Sequence, residues 1–386
     1  MSERQDPYRF ASSRFEVVYR LAVAPGEAEA RARAIALEQT VELPDEVVRD
    51  PAIREHVIGR IETLELPSPG EALATISYAV DTAGADLIQL INVIFGNTSM
   101  QPGVRVESLG LPEELLDGYP GPRFGCNGIR ERLGVTGRPL LCTALKPMGL
   151  SPVALADMAY QFALGGIDVI KDDHGLADQD FAPFEERVER CVAAVERANH
   201  ETGARSIYAP NVTASGTQTL ARARFARRAG AGAALVIPGL VGFGTVQELA
   251  GDSATNIPLL THPAFLGGFV ASPGAGIAHD VVYGTLPRLA GADATIFANY
   301  GGRFSFSRQA CLGIAQAAAA PLGRLRPTIP VPAGGMVLAQ VPELLEAYGV
   351  DVMLLVGGDL HRGGPDLAHN ARAFRQLLIG HSPPIP

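Results

Sequence analysis

The chain is short of several things, and each shortage narrows what it can be. Its four cysteines, Cys126, Cys142, Cys191 and Cys311, stand too far apart in sequence for a metal knuckle or a redox pair, so a reducing cytoplasm is the expected setting. It has no excess of basic residues. The 32 lysines and arginines against 41 acidic residues leave a net charge of −9, which argues against a nucleic-acid binder, because such a protein must replace the counterions of a phosphate backbone. An anionic substrate must then meet a local cationic or metal site. Long apolar runs are missing too: the most apolar stretch, 257–277, is interrupted by His262, Pro263, Pro273 and several glycines, and reads as strand and loop rather than a membrane span. The first residues lack the basic segment and apolar core of a secretory signal, so no export is expected. Low-complexity tracts are absent as well. The 43 glycines and 29 prolines fall singly or in pairs between apolar runs, as many short strand-to-helix loops require.

What is present is enough for a large core. Hydrophobic residues make up 47% of 386 positions, and that length accommodates a barrel of roughly 250 residues with a smaller partner domain. Over the first 125 residues, strand-like alternation at Phe15 to Val23 and Ala72 to Val80 mixes with helical patterns at Gly26 to Glu38 and Asp86 to Ile94. A small α+β domain over 1–125 is expected from this mixture. In a second domain expected over 126–386, the pattern becomes periodic from Leu141 onwards, with eight short apolar runs each followed by a helical stretch: 141–146, 168–173, 206–211, 233–238, 258–262, 294–299, 329–334 and 352–357. Eight such units predict an α/β fold, a closed (β/α)8 barrel, with 183–201 and 221–229 among its outer helices. An open doubly wound sheet is the alternative, but no Gly-x-Gly-x-x-Gly follows a first strand.

In a barrel the chemistry gathers where the strands end. Those ends carry Lys146, Lys171 with Asp173, Asn211, His262, Asn299, Gly334-Gly335 and Gly357-Gly358. Alternation along a strand puts Lys171 and Asp173 on one side and Asp172 on the other, so an inward-facing lysine and carboxylate meet near the mouth with His174 beside them. Asp173 and His174 are each competent divalent-cation ligands; the plainer reading is a solvated loop with a Lys–Asp pair. Lys146 leaves an apolar strand, where desolvation suits proton transfer, or it simply reaches solvent. The glycine pairs let backbone amides approach a phosphate, or serve only as turns. Gly301, Gly302 and Arg303 add a further anion contact. His262 is a ligand, a proton shuttle or a satisfied core histidine. His56, His200, His279, His361, His369 and His381 fall into no constellation, and no Ser-His-Asp or Cys-His arrangement points to a covalent hydrolase.

Taken together, Leu145-Lys-Pro-Met-Gly-Leu-Ser-Pro152, Gly165-Gly-Ile-Asp-Val-Ile-Lys-Asp-Asp-His-Gly175, Pro210-Asn-Val-Thr213 and Ala333-Gly-Gly-Met336 resemble the RuBisCO large-subunit superfamily, and specifically its RuBisCO-like branch. Ala36-Leu-Glu-Gln-Thr40 and Phe95-Gly-Asn-Thr98 extend the resemblance into the first domain. The resemblance implies a ferredoxin-like amino-terminal domain, a carboxyl-terminal barrel, and a homodimer or higher oligomer whose site is shared between subunits. It implies that Lys171 is the lysine converted by CO2 to a carbamate, that Asp173 ligates Mg2+, and that His174 holds the position of a third ligand, a glutamate in carboxylases. Lys146 matches the lysine serving enolisation, Asn97 and Glu38 match residues lent by the neighbouring subunit, and the glycine pairs match a phosphate site.

The departures decide the reaction. Lys146-Pro-Met-Gly lacks the second lysine of the carboxylase motif, Phe297 stands where carboxylases have a histidine, and Gly301-Gly-Arg-Phe-Ser lacks the mobile-loop lysine that positions CO2. Carboxylation is therefore expected to be lost while enolisation survives, since that step needs only a metal to polarise the carbonyl and one base. The leading expectation is an isomerase or tautomerase of a phosphorylated keto-sugar resembling 5-methylthioribulose 1-phosphate. The alternatives are a decarboxylase or transcarboxylase/hydrolase of a phosphorylated 3-oxo sugar acid, and a non-catalytic sugar-phosphate binder.

Overall fold

The structure, a computed structural model, describes residues 12–24 and 26–380; the amino-terminal residues discussed above and His381 lie outside these. The chain forms two compact units. One is built from the chain up to Tyr119 with Gly267–Val282 and Leu322–Arg324, the other from Pro120–Leu266, Tyr283–Pro321 and the chain from Leu325 onwards.

In the first unit, strands Arg14–Ala22, Arg60–Ser68, Glu71–Ala79 and Val104–Gly110 make an antiparallel sheet with Arg14–Ala22 between Val104–Gly110 and Glu71–Ala79, and Arg60–Ser68 at one edge. With helices Ala28–Glu38 and Leu87–Phe95 this is the ferredoxin-like order. Gly276–Ile277 extends the sheet by pairing in parallel with Arg105–Val106. The core follows from alternation: Phe15, Val17, Tyr19 and Leu21 are all fully buried, while the residues between them are not. Asp86 starts the second helix by accepting from the Ile88 and Gln89 amides.

The second unit holds eight parallel strands: Leu140–Leu145, Val169–Asp172, Ile207–Ala209, Ala234–Val236, Leu259–Thr261, Ala294–Ala298, Ile329–Ala333 and Met353–Leu355, here the first to eighth barrel strands. Met353 to Leu355 pair with Leu140 to Cys142, joining the eighth strand to the first. The third and fourth strands meet through an Asn211–Leu235 bridge, with Leu235 N–H on the Pro210 carbonyl at 2.8 Å, so the barrel closes. The expectation of a (β/α)8 barrel is met strand for strand. Alternate residues Leu140, Cys142, Val169, Ala209, Leu235, Leu260, Ile296, Val331 and Met353 fill its interior. Helix Gly125–Leu133 adds Cys126, Ile129 and Leu133, one apolar stripe, to the same cluster. Outer helices follow the strands, among them Pro152–Leu164, started by Ser151 accepting from Ala154, and Phe184–Thr202, which ends at the left-handed Gly203. No helix among the described residues is long and apolar enough to cross a membrane.

Candidate active site

The second barrel strand supplies the chemistry because of where its alternation ends. Val169 points into the barrel core, so Lys171, two residues on, enters the same interior above it and is only 2% exposed. Its Nζ donates to the Asp172 carbonyl at 3.0 Å. Burial lowers the Lys171 ammonium from its ordinary value, so the amine loses its proton more readily than a surface lysine. Asp173 follows at the mouth. Its Oδ2 accepts from Lys146 Nζ at 2.7 Å, and its Oδ1 accepts from the Gly175 amide at 3.0 Å with His174 Nδ1 at 3.3 Å. Burial pushes the Asp173 carboxyl up, but Lys146 and the Gly175 N–H outweigh it and hold the group below the usual carboxylate range. Lys146, at the end of the first strand, is about two-fifths exposed and precedes a cis Lys146–Pro147 peptide.

His262, at the end of the fifth strand, stacks on His174 with ring centroids 4.5 Å apart and planes 10° from parallel. Burial and the nearby Lys171 bring the His262 imidazole down to about 2. Its Nδ1 accepts from the Ala264 amide at 3.2 Å, which places its one ring proton on Nε2. His174 is also lowered, by burial, with Asp173 opposing. Four of the residues singled out from the sequence, Lys146, Asp173, His174 and His262, are thus brought into one contiguous cluster above Lys171.

The loops after the sixth and seventh strands meet backbone to backbone. A Cβ on Gly302 would lie 1.9 Å from the Gly334 carbonyl oxygen, and Gly334 and Gly335 have φ near +95°, so side chains are excluded from this contact. Gly301 is left-handed as well, and the Arg303 guanidinium lies 5.5 Å from the Phe304 ring centre. Gly357, after the eighth strand, faces the Lys146 side chain, with its Cβ position 4.0 Å from Lys146 Cε. Gly358 precedes the short helix Asp359–Arg362, and Asp359 accepts from Leu338 N–H at 3.0 Å, tying the loops after strands seven and eight together.

Asn211 is placed differently from a ligand-binding amide. Its Nδ2 donates to the carbonyls of His174 at 3.0 Å and Leu176 at 2.9 Å, and its Oδ1 accepts from Thr213. Asn97 and Glu38 lie in the other unit, where Asn97 Nδ2 donates to Glu38 at 3.0 Å and to Glu42 at 2.7 Å. Asn299 binds the Tyr348 hydroxyl at 2.7 Å. Phe297 is fully buried and packs edge-on to Tyr348, and its ring has no group that can donate or accept a proton. Two groups were not singled out by sequence reasoning: Met148, whose Cε lies against Gly175, and Arg187, fully buried against Asp172. An arginine inside an amphipathic helix gives no local sign of burial.

The donor set constrains any metal. Among the described residues no three histidine, cysteine, aspartate or glutamate side chains converge. Asp173 and His174 alone supply one carboxylate and one imidazole, and the Lys171 amine is no ligand for Mg2+ until it gains a carboxylate oxygen. As a carbamate, Lys171 would complete a three-residue set, and the burial that lowers its ammonium favours the neutral amine that carbamylation requires. The residues therefore fit a divalent cation on that condition.

Residues 125–378 match the family described as ribulose bisphosphate carboxylase large chain, catalytic domain. The chain is 40% identical over 370 residues to ribulose bisphosphate carboxylase-like protein 1 of Rhodopseudomonas palustris, covering 96% of this chain and 99% of that one. It is 41% identical over 376 residues to a 5-methylthioribulose-1-phosphate isomerase of Rhodospirillum rubrum, covering 96% and 97%. The crystal structure of a RuBisCO-like protein from Alicyclobacillus acidocaldarius superposes with a TM-score of 0.89 at 34% identity, over 96% of this chain and 94% of that one. The chain belongs to the RuBisCO large-chain family, as a RuBisCO-like protein.

Proposed function

We propose that this RuBisCO-like protein is an enzyme that enolises a phosphorylated keto-sugar and returns the proton elsewhere, an isomerase or tautomerase of a substrate like 5-methylthioribulose 1-phosphate. The observation that carries this reading is the mouth cluster: a buried Lys171, its ammonium disfavoured by burial, beneath a Lys146–Asp173 pair at 2.7 Å. Enolisation requires a base beside a carbon made acidic by its neighbouring carbonyl, and this cluster offers one. The function of the similar Rhodospirillum rubrum protein supports the choice of substrate.

Asp173, His174 and a carbamate on Lys171 would hold Mg2+, which when bound polarises the substrate carbonyl. Lys146 Nζ, released from Asp173 as substrate enters and having given its own proton to solvent, takes the proton from the adjacent carbon, or as the ammonium returns one to it. The carbamate oxygen of Lys171 is the other candidate base. His262 keeps its Nε2–H as a neutral donor, because burial disfavours its cation. Gly301, Gly302, Gly334, Gly335, Gly357 and Gly358, with Arg303, are proposed to receive the phosphate through backbone amides and one guanidinium. Carboxylation is not expected, since Phe297 fills the histidine position with a buried ring. The active unit is proposed to be a homodimer or larger homo-oligomer in which Asn97 and Glu38 serve a neighbouring barrel, working in the cytoplasm.

Proton-exchange NMR in D2O with Mg2+ and bicarbonate tests the proposal on 5-methylthioribulose 1-phosphate. Wild type should exchange the proton next to the carbonyl, and Lys171→Ala should lose at least about 10²-fold of that rate. Absence of exchange from folded, metal-replete wild type would sink the substrate assignment and direct the search to phosphorylated oxo-acids.

A further inference from the structure

Asp172 and Asp173 are neighbours in sequence and opposites in surroundings. Asp173 faces the mouth, whereas the Asp172 side chain turns outward into the helical layer with no exposure at all. There it receives three donors: Tyr208 Oη at 2.6 Å on Oδ1, and the Asn211 amide at 3.0 Å and Arg187 Nε at 3.2 Å on Oδ2. Each donor belongs to a different piece of the barrel wall. Tyr208 lies in the third strand, Asn211 just beyond it, and Arg187 in helix Phe184–Thr202.

Two of these three partners also reach back to the loop that follows Asp173. Arg187 sends Nη2 to the Ala177 carbonyl at 2.7 Å and Nη1 to that of Ala182. Asn211 sends its amide hydrogens to His174 and Leu176. The remaining carbonyl in the run, Gly175, accepts from Gln179 at 2.8 Å. Every backbone carbonyl from 174 to 177 is thereby held by a side-chain donor, and the two donors spanning the loop are anchored on one buried carboxylate. Mobile surface loops lack such satisfaction, because their carbonyls bind water.

We propose that Asp172, Arg187 and Asn211 form a strut that fixes Asp173 and His174 in place, so that all three are positioning residues, and Asn211 is not a substrate contact. The strut rests on the roles proposed above for Asp173 and His174. The two aspartates divide the labour of one strand end: the outward one holds the loop, and the inward one works in the site. Without the strut, the loop after the second strand samples other conformations, and the Lys146–Asp173 geometry is populated for only part of the time.

The test compares Arg187→Lys and Asn211→Ala with Arg138→Lys. Arg138 makes a slightly less buried pair with Asp168, at 2.7 Å, where the same strand begins rather than ends. Amide hydrogen exchange at Gly175, Leu176 and Ala177 is the first readout and needs neither substrate nor metal. It should accelerate about tenfold or more in the two strut variants and stay unchanged in Arg138→Lys, although all three lower Tm. In the proton-exchange assay the strut variants should lose roughly tenfold or more in kcat, as outer-shell substitutions commonly do, with KM for the sugar phosphate little changed. If Arg187→Lys fails to fold, Tyr208→Phe removes a single hydrogen bond from Asp172 and should show the same pattern in smaller degree. Unchanged loop exchange in the strut variants, or an equal kcat loss in Arg138→Lys, overturns the strut. An inactive wild type overturns the proposed reaction instead, and leaves the loop measurement to decide the strut by itself.

Discussion

The two ends of the barrel are built from the same eight strands and are chemically unlike. At the amino-terminal floor, charged groups are bonded within the fold, to each other or to backbone. Arg138 forks onto both oxygens of Asp168 at 2.8 and 2.7 Å, Asp168 also takes the Leu141 amide, and Asp293 accepts the amides of Phe124, Gly125 and Leu259. Arg130 closes the floor on the carbonyls of Arg138 and Val350. At the carboxyl-terminal mouth, the buried Lys171 has no carboxylate at hydrogen-bond distance among the described residues and donates to a backbone carbonyl, two histidines stack, and glycine loops bring backbone together. The floor spends its polar groups on the fold, and the mouth keeps its own available for a ligand. That division is the physical content of an active site at the strand ends of a barrel.

Three measurements would sharpen or break this contrast. The largest effect is expected at the floor, from Asp168→Ala, which strands the Arg138 fork and the Leu141 amide in a dry site. Urea unfolding should show a loss of about 3–5 kcal/mol, with the folded fraction keeping its rate of proton exchange. A large loss of activity at unchanged stability would reverse the assignment of the two ends.

Asp293 gives the next effect, and it depends on pH. Burial pushes its carboxyl up to about 6 even though three amides favour the anion. Its folded value lies above its unfolded one, so its contribution is fully present below about pH 4 and is lost as pH rises through about 6. Asp293→Asn should remove that dependence. The stability difference between wild type and variant should therefore drift by an amount on the order of 3 kcal/mol between pH 4 and 7, against the wild type at the higher pH. Parallel curves would show that the three amides hold the carboxylate ionised throughout.

The smallest effect belongs to the mouth. Lys171→Met replaces a buried amine by an isosteric apolar chain, and should raise stability by about 1 kcal/mol in a thermal melt while abolishing catalysis. A destabilised Lys171→Met protein would place Lys171 among the floor-like, structural groups.

How much of this was legible in the sequence differs between the two units. All eight barrel strands lie where short apolar runs end in polar or glycine residues, because strands buried on both faces leave an unmistakable continuous signature. The first unit hid two of its strands. Arg60–Ser68 pairs on one side only, and its register with Glu71–Ala79 slips twice, so no clean alternation survives. Val104–Gly110 carries Arg105, whose buried guanidinium is bound to the carbonyls of Ser272 and Ala275, residues far along the chain.

The sequence by itself determined the barrel, its phase and therefore which residues stand at the mouth, since Lys171 and Asp173 share a side through nothing more than the two-residue period of a strand. Only the tertiary structure decided the partners. Asp172 finds Arg187 and Tyr208, His174 finds His262, and Asn211 turns from the opening to the loop beside it. Periodicity is a property of adjacent residues and survives in one dimension. A hydrogen bond between segments depends on the register and packing of strands and helices distant in sequence, which exists only once the barrel has closed.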